Sequence, residues 1–595
     1  MQNNKNILFA TVLSMAILLA WTWFYEKPRI DKKEEAQRIL MAQQVEIAKA
    51  NKAVGANNSV ATKESLAPVQ KASDVNSPQI AESKTAILAL KNRDEVLAAT
   101  KNERIKIESE NLHGSLLLKG ARFDDLTLAK YFKESDKKEE VVLFAPSDSK
   151  ERYFADFGWI SSDAALDMPK PDSIWKSSAA KLTPEQPIIL SWKNKQGVEF
   201  FIDISLDKNF MFNVKQRVFN RSGKEITLAS YGRINRVLNM VQKPVYILHE
   251  GPIGVFDGVL QEISYKDIAK DREKTFTSKS GGWVGITDKY WLSSIIPDKS
   301  VSYKADFSAA VNNQNQIFNS EFISQEFKVE KNSELKFDHH FFAGAKQVNL
   351  LDQYAEEYKI PLFDRAIDFG WFYFLTKPFF SAIAFLNKFL GNFGLAILAM
   401  TVIIKLVLLP MANKSYGAIA RMKQLQPKIQ EIREKFKGDK IAMNREVMEM
   451  YKREKINPAS GCLPILIQIP IFFSLYKVIF VTLDMRQAPF YGWIHDLSAP
   501  DPTSIFNLFG VLPFHVSGML AIGVWPILMG LTMILQQKLS PQATDPTQAK
   551  VLKFMPYILT FVLAAFPAGL VIYWTWNNLL SIAQQAFIMK RMEKK

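Results

Sequence analysis

Lys405 lies within an apolar stretch that runs from Asn392 to Pro410, with Thr401 one helical turn before it on the same face. A charge in the middle of a membrane helix costs roughly 2.5–3.5 kcal/mol on insertion scales, so such a residue is expected to face a polar cavity rather than lipid. The chemistry this pair offers is a wet, positively charged pocket that attracts acidic groups. A plainer reading also fits. Lys405 stands five residues before Pro410, about 7.5 Å along a helix, and its ammonium could reach the cytoplasmic interface.

Other chemistry is hard to build from this chain. It has one cysteine, Cys462, and six scattered histidines, with no metal-ligand spacing. There is no phosphate-binding glycine loop and no nucleophile elbow. The reading is therefore a non-enzyme with no cofactor and no metal. The net charge of +15 would raise nucleic acid as a partner of a soluble protein. Here the basic residues cluster beside apolar runs, which is the positive-inside pattern, and DNA is not expected.

The elements that must position Lys405 follow from the distribution of apolar residues along the 595-residue chain. Residues 1–25 read as an uncleaved transmembrane signal anchor, because Trp21, Trp23, Phe24 and Tyr25 stand where a cleavage site needs small residues. Residues 26–100 read as a flexible periplasmic tether, too poor in apolar side chains to bury a core. Residues 101–345 carry alternating strands such as Ile105–Glu110, Glu199–Leu206 and Phe210–Phe219, and predict a large antiparallel β-sandwich. Gly281-Gly282-Trp283 and Asp288-Lys289-Tyr290-Trp291 read as a turn followed by a packed strand. Residues 346–390 predict a short linker helix and an aromatic amphipathic helix lying on the membrane interface.

Spans are predicted at 391–411, 463–483 and 517–537. Residues Phe554 to Met589 carry no charge over 36 positions, too long for one helix across a core of about 30 Å. Phe566-Pro567-Ala568-Gly569 is the natural corner, which gives spans at 554–566 and 567–589 and six spans in all. The first of these two arms is short unless it begins earlier. Lys477 lies near the outer end of its span and is expected to snorkel, and Gln536 and Gln537 are expected at an interface.

Charge sets the topology. Residues 412–462 carry 12 Lys/Arg against 6 Asp/Glu, whereas Asp484–Val516 has one arginine and three aspartates. Both termini, the 538–553 loop and the basic 590–595 tail are placed in the cytoplasm, and the β-domain and the 484–516 connection in the periplasm. Met422, Leu425, Ile429, Ile432 and Phe436 step by three and four, a heptad seam, and Met443, Val447 and Met450 continue beyond Gly438-Asp439. This predicts a basic cytoplasmic helical hairpin. It is either a solvated element or a dock for an acidic partner such as a ribosome or anionic lipid.

The chain resembles the YidC/Oxa/Alb family of membrane protein insertases, in the Gram-negative form with a large periplasmic domain. The resemblance is carried by Gly391-Asn392-Phe393-Gly394, the charged position before Pro410, Leu425-Gln426-Pro427-Lys428-Ile429, and Asn457-Pro458 through Pro464. It continues through Gln468-Ile469-Pro470-Ile471-Phe472, Arg486-Gln487-Ala488-Pro489-Phe490, Trp493 through Ser498, Phe566 through Leu570, and Tyr573-Trp574. It is strong over about 360–590. It implies a five-helix core with a groove open to cytoplasm and lipid, in which Lys405 occupies a position where the family usually has arginine. Thr401 and Gln468 match polar groove positions, and Tyr573 and Trp574 match substrate-contacting aromatics. The implied function is insertion, folding and assembly of inner-membrane proteins without ATP. The implied partners are nascent membrane proteins, the Sec translocon, the ribosome through the hairpin and tail, and anionic lipids, with the protein a monomer. The rival readings are an ion- or solute-coupled transporter using Lys405, against which stands the lack of an internal repeat, and an assembly scaffold without insertase activity.

Overall fold

The computed structural model describes residues 91–239, 248–312, 315–436, 438–454, 456–457, 463–510, 512, 516, 521–539 and 546–593. The predicted anchor and most of the predicted tether lie outside the described residues. The folded part begins at Lys91, earlier than the tether's expected end at 100. Helix α1 (Arg93–Ala99) buries Val96, and Arg93 pairs with Asp125 on the first sheet. Buried Val96, the Arg93 contacts to Asp125 and Thr127, and a backbone bridge from Lys91 to Ser149 hold this segment, and none of these can be read from composition.

Alternation of apolar and polar residues builds the next 240 residues into two stacked sheets. The first has 11 strands, in the order β14 (Glu273–Ser278), β17 (Tyr303–Asn312), β18 (Asn315–Ser324), β11 (Ile226–Asn239), β5 (Tyr153–Ile160), β3 (Arg122–Phe132), β2 (Leu112–Leu117), β1 (Arg104–Glu108) and β7 (Lys181–Leu182), with β4 (Glu140–Phe144) and β19 (Phe327–Val329) off the path; the second has 9, in the order β13 (Val259–Glu262), β12 (Gly251–Phe256), β15 (Trp283–Thr287), β16 (Trp291–Ile296), β20 (Glu334–Ala345), β10 (Met211–Asn220), β9 (Val198–Leu206), β8 (Ile188–Lys193) and β6 (Lys176–Ser177). The strands run from β1 (Arg104–Glu108) to β20 (Glu334–Ala345) in chain order. The clearest alternation lies in β9 (Val198–Leu206), where every second residue is buried. It pairs with β10 (Met211–Asn220) in antiparallel register from Phe212↔Leu206 to Asn220↔Val198. One pairing departs from the expected antiparallel pattern: β7 (Lys181–Leu182) lies parallel to β1 at the sheet edge.

Aromatic rings from both sheets form the core. Phe123 of β3 (Arg122–Phe132) meets Phe212 of β10 at 5.2 Å and Phe341 of β20 at 5.3 Å. A buried polar relay also crosses between the sheets. The Asp298 amide donates to Nδ1 of His339 at 3.0 Å, so the ring proton sits on Nε2, which donates to Ser230 Oγ at 2.9 Å. Ser230 then donates to Gln216, and Gln216 to the Gly158 carbonyl. Burial pushes the His339 pKa down to about 3.

After a short helix within the sandwich, α2 (Tyr265–Asp271), the chain leaves it through α3 (Val348–Glu357) and a short turn at Phe363–Ala366, then becomes helical. Helix α4 (Tyr373–Leu390) buries Phe379, Phe380 and Ile383 and exposes Phe374, Phe385 and Phe389. Gly391, at φ 66°, closes it, and Asn392 opens α5 (Phe393–Val407) by accepting from the Leu395 amide at 3.1 Å. The two helices are bent by 120° at this joint. Among the described residues no single helix is long and apolar enough to cross a membrane, but this bent pair passes that test together.

Helix ends differ from the expected ones in three places. The 391–411 segment breaks at Leu408, before α6 (Leu409–Gln424), because Pro410 has no amide to continue the ladder. After α9 (Leu463–Val481), the next helix, α10, spans Val524–Leu539 instead of starting at Ser517. Its first amides are capped from the preceding loop: Val524 donates to Thr503 Oγ1 and Trp525 to Asp501 Oδ2, each at 3.0 Å. Helix α11 (Pro546–Leu563) begins eight residues before the uncharged run and is followed by α12 (Ala568–Glu593). Between α6 and α9, α7 (Gln426–Lys435) and α8 (Lys440–Arg453) share a small core in which Leu425 and Ile429 meet Val447 and Met450.

The β-domain and the helices meet through specific contacts. Lys477 of α9 is not snorkelling: it forms an ion pair with Asp368 at 2.8 Å, both side chains largely buried. The Asp288–Trp291 segment does pack, but partly against the helical region. Lys289 Nζ lies 3.6 Å from the centre of the Phe480 ring, and the Tyr290 hydroxyl donates to Ser498 Oγ at 3.3 Å. Arg486 reaches back to the Phe132 and Lys133 carbonyls.

Candidate functional site: a cationic cavity among the helices

Six helices enclose a cavity of about 530 Å³. Lys405 comes from α5, Tyr416 from α6, Gln468 and Phe472 from α9, Met533, Gln536 and Gln537 from α10, Leu552, Met555 and Leu559 from α11, and Tyr573, Trp574, Asn577, Asn578 and Ser581 from α12. Among the described residues that line it there is no aspartate or glutamate. A cation in an apolar wall without a carboxylate is a site that favours an incoming anion.

Lys405 is half-buried, and its ammonium donates to Ser581 Oγ at 2.7 Å. Ser581 in turn donates to the Asn577 carbonyl at 2.8 Å, so the hydroxyl is oriented to accept from the lysine. Among the described residues only Ser581 takes one of the three ammonium protons, which leaves two donors to meet a ligand or water. The Gln468 amide donates to the Tyr573 hydroxyl. That contact holds a buried tyrosine against α9. Trp574 packs edge-on against Phe472 with ring centres 4.7 Å apart.

Of the expected groove residues, Lys405, Gln468, Tyr573 and Trp574 therefore converge on one cavity. Thr401 does not line it. Its side chain is buried and donates to the Ile397 carbonyl one turn back, at 2.7 Å. Gln536 and Gln537 line the cavity, and Gln537 Nε2 bonds the Leu552 carbonyl at 2.6 Å.

The polar face of α12 is the part that the sequence reading missed. Asn577, Asn578, Ser581 and Gln585 recur at helical spacing within the uncharged run. Asn578 donates to Thr532 at 3.0 Å and Gln585 to the Leu539 carbonyl at 3.0 Å, which ties α12 to α10. The signal was present as an i, i+4, i+8 stripe of amides and a hydroxyl in a run judged only by its lack of charge.

Two family models together cover most of the chain. Residues 104–382 match the model described as the YidC periplasmic domain, and residues 385–595 match the one described as the 60Kd inner membrane protein. The class is thus an inner-membrane protein whose β-rich part is a periplasmic domain. Full-length relatives narrow it further. "Membrane protein insertase YidC" of Rickettsia bellii (strain OSU 85-389) is 48% identical over 592 residues, covering 99% of this chain and 100% of the relative. The protein of the same name from Rickettsia akari (strain Hartford) is 47% identical with the same coverage. A solved "Active YidC insertase crystal structure with the first transmembrane domain resolved" is 15% identical, covers 81% of this chain and 92% of that one, and superposes with a TM-score of 0.34. The chain belongs to the YidC membrane protein insertase family.

Proposed function

We propose that this protein inserts other proteins into the bacterial inner membrane and helps them fold and assemble, using the Lys405 cavity and no ATP. The observation that carries this reading is the cavity itself, whose described lining residues include one lysine, several amides and hydroxyls, and no carboxylate. A substrate's acidic leading segment enters and pairs with Lys405. At 4 Å such a pair gains about 4 kcal/mol at an effective dielectric of 20, before desolvation. The substrate's apolar segment then leaves along lipid-facing surfaces, where partition of Leu-like residues makes the transfer downhill. Tyr573 and Trp574 supply apolar contact on the way, and Gln468 fixes the Tyr573 hydroxyl.

The topology in this reading has six spans, both termini in the cytoplasm and the β-domain in the periplasm. The pair α7–α8 is then a basic cytoplasmic hairpin, which with the tail docks the ribosome and anionic lipid. The protein works as a monomer, alone or beside the Sec translocon.

The test is reconstitution of the purified protein in liposomes with a single-span substrate bearing a short acidic N-tail. Lys405→Ala should reduce insertion roughly tenfold, which corresponds to about 1.4 kcal/mol of lost attraction. Insertion by Lys405→Glu at the wild-type rate would remove charge attraction from the mechanism. No insertion above empty liposomes would remove autonomous insertase activity.

A further inference from the structure

The connection between α9 and α10 holds an apolar loop at the end of α10, and its side chains are left uncovered. Ile505 is 40% exposed, Phe506 54%, Leu508 57% and Phe509 46%. Leu508 and Phe509 sit in succession at φ 50° and 58°, left-handed backbone that side-chain-bearing residues rarely adopt. This conformation is held by its base. Asp501, buried, accepts from Trp493 Nε1, from the Thr503 amide and from the Trp525 amide, and the Ile505 amide donates to the Ile522 carbonyl at 3.0 Å. The loop is thus fixed at the first turn of α10.

Helix α10 is short for its place. Its 16 residues make about 24 Å, whereas the hydrocarbon core is about 30 Å. No Asp, Glu, Lys or Arg occurs between Pro502 and Gln537, so the uncharged run extends well upstream of the helix. Leu528, Leu531 and Leu535 of α10 are exposed as well. Beside the loop's base, Trp493 and Tyr491 are exposed, the residue types that settle at a membrane–water interface.

We propose that the 505–509 loop is a lipid-binding wedge that enters the outer leaflet of the bilayer and makes up the depth that α10 lacks. The inference rests on the reading that α10 crosses the membrane. It requires a lipid surface because the loop is apolar, is tied at its base to the first turn of α10, whose own apolar side chains are exposed, and carries no charge for a polar partner to meet.

The test uses the full chain with Cys462→Ser in phosphatidylcholine liposomes, with single cysteines carrying an environment-sensitive fluorophore. Leu508→Cys and Phe506→Cys report the loop, Leu531→Cys reports the middle of α10, and Lys137→Cys reports open solvent. With iodide on both sides of the bilayer, the loop labels should be quenched at least threefold less than the Lys137 label. Lipid spin-labelled at carbon 5 should quench them more than lipid labelled at carbon 12, and the order should reverse for Leu531. Loop labels as open to iodide as Lys137, with Leu531 in lipid, overturn the wedge alone. Loop labels shielded from iodide and from both spin labels indicate cover by a second copy and also overturn it. A Leu531 label outside lipid overturns the membrane reading and the wedge with it.

Discussion

At the scale of single residues, Lys405 and His339 show how burial turns a charge into a constraint. Lys405 donates one ammonium proton to Ser581, and no carboxylate among the described lining residues pairs with it. Ser581→Ala should weaken insertion of acidic-tailed substrates less than Lys405→Ala does, by about two- to threefold, since it leaves the ammonium in place and a water can take over most of the lost hydrogen bond. Equal losses in the liposome assay would mean that Ser581, and not the charge, is the critical group. His339 is buried neutral, with Nδ1 accepting and Nε2 donating. Its folded pKa of about 3 lies below the unfolded value of about 6.5, so the unfolded chain binds the extra proton first as pH falls. The stability contributed by the neutral ring is fully present above pH ~6.5 and is lost progressively toward pH 3. Thermal unfolding of the protein in detergent should show a steeper fall in Tm over that window than His339→Gln does. Parallel pH profiles would show that the ring does not govern the acid limb.

At the scale of elements, the joint between α4 and α5 depends on three residues with different tasks. Gly391 closes one helix in a left-handed conformation, Asn392 caps the next, and Gly394 makes room for Phe490. A Cβ on Gly394 would lie 2.1 Å from the Phe490 ring, which is packed against Tyr491 and Trp525. A Cβ on Gly391 would meet nothing, leaving only a backbone cost of roughly 1–2 kcal/mol. Gly394→Ala should thus lower Tm more than Gly391→Ala, and Phe490→Leu should recover part of the loss. Failure of that rescue would locate the cost elsewhere than the ring. The element ends show what local sequence could and could not specify. Gly391 and Asn392 are neighbours of the helices they punctuate and could be read directly. The start of α10 is capped by Asp501 and Thr503, more than twenty residues upstream, so a search for local caps had no reason to move it from 517 to 524.

At the scale of the whole molecule, the periplasmic domain and the helices are joined by polar and cation–π contacts that involve Lys289, Tyr290, Arg486 and the Asp368–Lys477 pair. Asp368 also accepts from the His249 and Gly370 amides, so one carboxylate gathers three segments. Nearby Lys346 is buried, donates to Thr287 and to the Ala366 carbonyl, and has its pKa pulled down to about 8 by burial. If the 368–477 pair couples the two parts, Asp368→Asn and Lys477→Met should be non-additive in thermal unfolding by about 0.5–3 kcal/mol. Additive effects would mean that each residue acts through its other neighbours.

Several of this protein's features were written in one dimension. Period-two alternation fixed the faces of strands such as β9, because a strand has only two faces and one must be buried. Lys405 declared a cavity because an unshielded cation in apolar surroundings is costly. The family motifs, local and numerous, carried the insertase resemblance. Tertiary structure alone decided which polar groups reached that cavity. Thr401 and Lys405 share a helix face, but Thr401 turns its hydroxyl onto Ile397 while Lys405 finds Ser581 across 176 residues of chain. It also paired Lys477 with Asp368 and set the start of α10. Each of these depends on a partner distant in sequence, and a side chain's choice between its own backbone, a distant partner and solvent is settled only when the packed helices bring those partners within about 3 Å.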